Sequence, residues 1–216
     1  MQVWMTWLDA LNGLLNLLSS EVGLGAGLGI VALTLLLRVT LLPISWSTAY
    51  RGCVRQKRIM QLQPEVQRIK DRFADDPSAV IERTMALYRK HGLSPMDGRS
   101  LLGALAQMPV FLGMFQVLRE YAEGARFLWV SSLSRPDALL ALIAGATTAL
   151  MMAANPDLPE HMRALLIIVP SVIAVLVTFK FCSALAVYWA ASNCFSAAQT
   201  VAVHYVVTRH ARLGTR

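Results

Sequence analysis

The chain has 216 residues, of which 56% are hydrophobic and only 15% charged, with a formal net charge of +7. A soluble domain carries about 25% charged residues, and here the charges are segregated: residues 22–37, 101–118, 138–154 and 164–207 hold almost none, whereas 50–99 hold most of them. Apolar stretches of about 18 residues or more read as membrane spans; a chain this short cannot bury five of them, which excludes a soluble globule, and the basic balance then speaks for membrane orientation rather than direct nucleic-acid binding.

Residues 3–20 place Trp4, Trp7, Leu8, Leu11, Leu14, Leu15 and Leu18 at helical spacing, with Asp9, Asn12 and Asn16 between them. Segment 1–21 is therefore expected to be an amphipathic helix in the membrane interface, its tryptophans at headgroup level. The alternative is a ragged start to the first span. That span is expected over 22–43, ending at Pro43. Its glycines, Gly23, Gly25, Gly27 and Gly29, follow no strand and precede no Lys-Ser/Thr pair, so they suit close helix packing rather than phosphate binding.

Segment 44–100 is polar. Residues 50–73 are helical in pattern and rich in Arg, Lys and Gln, interrupted at Pro64. Residues 74–78 form a turn that puts Pro77 in the first turn of a second helix, over 78–91, which Gly92 can cap. Two helices joined by so short a turn make an antiparallel hairpin. A loop over 93–98 leads back to the membrane. The second span is expected over 101–118, bent at Pro109, followed by an outer loop, 119–137, that carries Trp129. A third span over 138–154, a polar turn over 155–163, and spans four and five over 164–181 and 183–207 complete the apolar part. Residues 208–216 form a basic tail.

The hairpin carries eleven Lys and Arg, from Arg51 to Arg99, and the tail adds Arg209, Arg212 and Arg216. With five spans, the hairpin, the 155–163 turn and the tail share one side. The other side holds Arg119, Arg126, Arg135 and Lys180. The bias of Lys and Arg toward cytoplasmic loops puts the hairpin and C-terminus inside and the N-terminus outside. The start of the chain has neither a basic secretory n-region nor an Arg-rich transit composition, so a bacterial plasma (inner) membrane is expected, with a processed organellar protein as the alternative.

Arg38 is the most informative residue, since an arginine in an apolar helix costs about 2.5–3.5 kcal/mol on insertion scales. Thr34 lies one turn earlier on the same face. Two readings stand side by side. Arg38 could face a hydrated pocket inside the bundle, or its stem could snorkel to headgroups about 6–7 Å away. Gln107 and Gln116 are polar residues of the second span, and Trp189, Asn193 and Ser196 form one stripe on the last. Single polar residues are ordinary interhelical glue; Arg38, Gln107 and the Asn193 stripe together suggest one wet cavity. Cys53, Cys182 and Cys194 form no CxxC pattern and have no histidine at ligand spacing, so they read as small thiols. The sequence carries no phosphate loop, HExxH or Ser/His/Asp constellation and no internal repeat, so neither an enzyme nor a bound cofactor or metal is expected.

Several segments are similar to the YidC/Oxa/Alb family of membrane protein insertases, in family order and over almost the whole chain. They are LTLLLRVTLLP at 33–43, MQLQPEVQRIK at 60–70, MALYRK at 85–90, QMPVF at 107–111, the stretch from Phe127-Leu-Trp129 to Asp137, and YWAASNCFSAAQ at 188–199. The resemblance implies an all-α polytopic core of five transmembrane helices, with an N-terminal interfacial helix and a mobile cytoplasmic hairpin. It also implies a groove open to cytoplasm and lipid, with Arg38 as its positive charge and Thr34, Gln107, Phe111 and Trp189 along its walls; Asn193 joins them from the stripe. The activity it implies is insertion and folding of small membrane proteins without ATP. The partners are nascent membrane proteins and the lipid bilayer, with the ribosome and the Sec translocon as further candidates. The sequence shows no large outer domain or extra N-terminal span of the kind many Gram-negative members have. Its turn before the last span is KFCSA where the family often has Pro-Ser-Gly, and its basic tail is short. A small channel or transporter with an anion site at Arg38, or an assembly factor dedicated to one partner, are the rival readings.

Overall fold

The computed structural model describes residues 1–93 and 98–213. The expected loop over 93–98 and the last residues of the tail, 214–216, therefore lie largely outside the described residues. Among the described residues the chain is helical: α1 Gln2–Asn16, α2 Gly25–Thr40, α3 Leu42–Gln61, α4 Gln63–Arg72, α5 Pro77–Lys90, α6 Gly98–Tyr121, α7 Ala138–Ala153, α8 Arg163–Lys180 and α9 Ser183–Leu213. A π-helical turn, Leu17–Glu21, prolongs α1, and a 3₁₀ turn, Glu160–Met162, leads into α8.

Two boundaries differ from the sequence reading. The first apolar helix ends at Thr40, and Pro43 stands in the first turn of α3 instead of closing the span. A proline ring would strike the carbonyl four residues back, so it tolerates only the start of a helix; the chain accordingly bends by 65° between α2 and α3. The same rule breaks the next helix at Leu62, and Pro64 opens α4. At the other end, residues 208–213 are no separate tail but the last turns of α9.

The apolar face of α1 is buried on protein. Leu8, Leu11 and Leu15 enter a core with Ile30 and Leu33 of α2, Met114, Val117 and Leu118 of α6, and Leu185 of α9. Trp7 Nε1 donates to the Pro109 carbonyl at 3.4 Å. The glycine run of α2 divides its labour. Gly23 and Gly25 have φ of +76° and +75°, which glycine adopts freely. Gly27 and Gly29 are buried, and a Cβ on Gly29 would lie 3.0 Å from Ser19 Cβ. At Gly145, α7 approaches α8 so closely that a Cβ would meet the Ser171 carbonyl at 3.1 Å.

The ends of the bundle are distinct. At one, the loop after α6 ties to the α8–α9 turn: Ala184 N donates to Leu133 O at 3.1 Å, and Ser183 N to Arg135 O at 3.1 Å. At the other, α3 meets the α7–α8 turn and the second half of α9. There Gln56 Nε2 donates to Asp157 O at 3.3 Å and Lys57 Nζ to Thr208 Oγ1 at 2.6 Å. The hairpin of α4 and α5 hangs from this second end. Its helix start is capped by Asp76, whose Oδ1 accepts from Ser78 N and Ala79 N, each at 3.0 Å.

The outer surface is apolar. By length and composition, α8 alone among the described helices suffices to cross a membrane, and α2 with α3 does so as a bent pair; α7 is apolar but shorter. Only 11% of the apolar window of α8 is buried. Leu165, Ile168, Val172, Ile173, Leu176 and Phe179 are all more than half or close to half exposed. A core helix of a soluble protein hides such residues; this surface suits hydrocarbon.

Candidate functional site: a groove around Arg38

Arg38 lies in the last turn of α2, one turn from where Pro43 forces the chain aside. Its guanidinium does not turn back toward the helix end. It crosses to α9, where Nε donates to Ser192 Oγ at 3.0 Å and Nη2 also donates to that oxygen. Of the two sequence readings, this is the inward-facing one. Among the described residues no carboxylate lies within ion-pair distance of it. A guanidinium has five N–H donors and does not lose its charge in proteins, so Ser192 leaves most of its donor capacity unspent.

The space beside it is a cavity of ≈ 490 Å³ to which all five of the long apolar elements contribute. Arg38 comes from α2, Gln107 and Phe111 from α6, Thr148 from α7, Ile173 from α8, and Trp189 and Asn193 from α9. One wall is aromatic: the Phe111 ring lies 6.0 Å from Trp189, edge on, and 6.4 Å from Tyr188. The other polar corner is built on Thr148. Its hydroxyl donates to Ala144 O at 2.7 Å and accepts from Trp189 Nε1 at 3.3 Å. Whichever way the Asn193 amide is turned, it lies 2.8 Å from this oxygen. The cavity is not enclosed, and Met108 of α6 and Ile173 of α8, also on its lining, are 50% and 52% exposed on the apolar surface.

Five of the six residues singled out from the sequence therefore meet: Arg38, Gln107, Phe111, Trp189 and Asn193. Thr34 does not join them. It is buried, and its hydroxyl donates to Ile30 O at 2.7 Å, the back-bond to i−4 that a helical threonine makes when no better acceptor is near. The sequence offers Ser192 only as one of several polar residues of the last span, off the Trp189–Asn193–Ser196 stripe; Thr148 was missed, since it sits in an alanine-rich helix where nothing marks it.

A profile of the family described as 60Kd inner membrane protein matches residues 17–210. The chain belongs to that family. Similar relatives of this 60Kd inner membrane protein family member include two proteins named "Membrane protein insertase YidC". The one from Pseudomonas entomophila (strain L48) is 32% identical over 195 residues, covering 88% of this chain and 33% of the relative. The one from Pseudomonas aeruginosa (strain LESB58) is 32% identical over 178 residues, covering 80% and 30%. The chain thus spans about a third of the length of these curated relatives. A solved structure titled "Active YidC insertase crystal structure with the first transmembrane domain resolved" superposes with a TM-score of 0.68 at 24% identity, over 92% of this chain and 45% of that one. The all-α fold is the one this family builds, and family membership places the chain in the bacterial inner membrane.

Proposed function

We propose that the chain is a membrane protein insertase that works without ATP, and that the groove around Arg38 is where it acts. The observation that carries this reading is a charged, donor-rich cavity that is not enclosed and is bordered by apolar surface. A polar tail crossing bare hydrocarbon must shed its water, at several kcal/mol per unsatisfied group. A wet cavity part-way across shortens that dry path, and Arg38 attracts acceptors and acidic side chains. The substrate's own helix supplies the drive, since each Leu-like residue gains about 0.3–0.6 kcal/mol on entering lipid. This is a passive path, not enzymatic turnover.

In the same reading α2, α6, α7, α8 and α9 are five spans, with the hairpin and C-terminus cytoplasmic, the N-terminus outside and α1 lying along the outer interface. Thr34 packs the helix that presents Arg38, and the remaining five residues contact substrate. Nascent membrane proteins and the bilayer are its partners, and the ribosome and Sec translocon are candidates for handing substrates over. A transporter's anion site would need walls closed by protein, which a cavity that is not enclosed argues against. The deciding experiment is reconstitution of the purified chain in liposomes, scoring insertion of a short single-span substrate. Insertion no greater than in empty liposomes would end the insertase reading.

A further inference from the structure

Cys53 reads as a plain small thiol in the sequence, with no histidine near it. The fold changes its company. At the hairpin end of the bundle, Cys53 Sγ of α3 lies 3.8 Å from His204 Nδ1 of α9 and 3.9 Å from Asp157 Oδ2 of the α7–α8 turn. The His204 Nδ1 to Asp157 Oδ2 distance is 3.6 Å. Three ligand atoms from three elements thus converge within 4.8 Å of one another. The residues are separated by up to 151 positions in sequence.

Thiolate, imidazole and carboxylate are the donor types of zinc, a borderline-soft cation. Bond lengths of about 2.0–2.3 Å in a tetrahedron put such ligand atoms roughly 3.3–3.6 Å apart; the three observed separations are within a few tenths of an ångström of that. The Asp157 and His204 side chains are only 12% and 28% exposed. A cavity of ≈ 270 Å³ adjoins them, lined also by Gln56 and Asn155, and leaves room for water in a fourth position. The backbone that carries this carboxylate is fixed on both sides: Asp157 N donates to Asn155 Oδ1 at 3.1 Å, and the Asp157 carbonyl accepts from Gln56 Nε2 at 3.3 Å.

We propose that Cys53 Sγ, Asp157 Oδ2 and His204 Nδ1 form a three-ligand site for a zinc-class divalent cation. The cation fastens the first helix below the groove to the α7–α8 turn and to the end of α9. These residues lie outside the groove, so the site stands apart from the insertion chemistry and holds whether or not that reading does.

Cobalt(II) is the probe, because a thiolate ligand gives it a charge-transfer band that oxygen and nitrogen ligands do not. The full chain, purified in detergent without a polyhistidine tag and stripped with chelator, is titrated with Co²⁺ and then with Zn²⁺. A single saturating charge-transfer band is expected, abolished by one equivalent of Zn²⁺. Cys53→Ser should remove the band, and His204→Ala and Asp157→Asn should each weaken binding by at least about tenfold. Cys182→Ser and Cys194→Ser should leave the band intact, which separates ligand loss from general disruption. Absence of the band in the wild-type chain, or its survival in Cys53→Ser, would overturn the proposal.

Discussion

Arg38 is the residue on which the functional reading turns, and its environment makes the reading quantitative. In a low-dielectric slab an opposite charge is felt far more strongly than in water, and here, among the described residues, the cation's hydrogen-bond partner is the Ser192 hydroxyl on the facing helix. Arg38→Ala should therefore impair insertion, with a defect that grows with the number of Asp and Glu in the translocated tail. Arg38→Lys should retain much of the activity, since the role needs a cation more than a fork of donors. Ser192→Ala should cost less than Arg38→Ala, because it removes the anchor and leaves the charge. The assay is insertion of matched single-span substrates that differ only in tail acidity. An Arg38→Ala chain that inserts the whole series like wild type would refute the groove charge and leave the fold untouched. This residue was legible in the sequence because an arginine among leucines is expensive wherever it points. Thr34 misled for the opposite reason: a hydroxyl can satisfy itself on its own helix at no cost, so a shared face on the helical wheel does not fix what it touches. Cys53 and His204 were illegible because spacing along the chain says nothing of two helices that meet 151 residues apart.

At the scale of elements, the hairpin and the α7–α8 pair are opposites. Among the described residues α5 buries none and α4 buries only Val66, while Ile81 is 62% exposed. With so little apolar surface tied down, α4 and α5 should open far more readily than the spans. Amide hydrogen exchange over 63–90 is expected to run ahead of exchange in α7 and α9; equal protection would count against a loosely held hairpin. Asp76→Ala, which deletes the cap on α5, should cost about 1 kcal/mol and speed exchange in that first turn about fivefold. By contrast, α7 and α8 are locked where Gly145 faces Ser171 O and Val175. Gly145→Leu should force the helices apart and destabilise by roughly 1–3 kcal/mol, read as a lower midpoint of unfolding in detergent; an unchanged midpoint would show that the pair yields. Helix positions followed from apolar length and from Pro, Asp and Gly punctuation. Helix boundaries did not follow as closely. Pro43 looked like a stop because proline ends helices, yet it also begins them, and only the 65° bend shows which it does here.

For the whole molecule, parity and charge point to one arrangement. The segment between α2 and α6, the α7–α8 turn and the end of α9 meet at one end, as the Gln56–Asp157 and Lys57–Thr208 hydrogen bonds require. The 125–135 loop and the α8–α9 turn meet at the other, through the Leu133 and Arg135 carbonyls. In the five-span reading proposed above, such pairing corresponds to an odd number of crossings between α2 and α9, and the excess of Lys and Arg at the first end is what that reading takes to face the cytoplasm. Ser78, in the first turn of α5, and Ser134, in the loop after α6, are both exposed and lie at opposite ends. In a chain whose own cysteines are replaced, Ser78→Cys and Ser134→Cys should label from opposite sides of intact cells with a membrane-impermeant maleimide. Ser134→Cys should react from outside, and Ser78→Cys only after the membrane is opened. If both react from outside, the charge bias has been misread and α6, the one long helix between the two sites, does not cross. If only Ser78→Cys does, the fold stands but is inverted, and the groove around Arg38 would then open toward the wrong compartment to receive a chain from the ribosome.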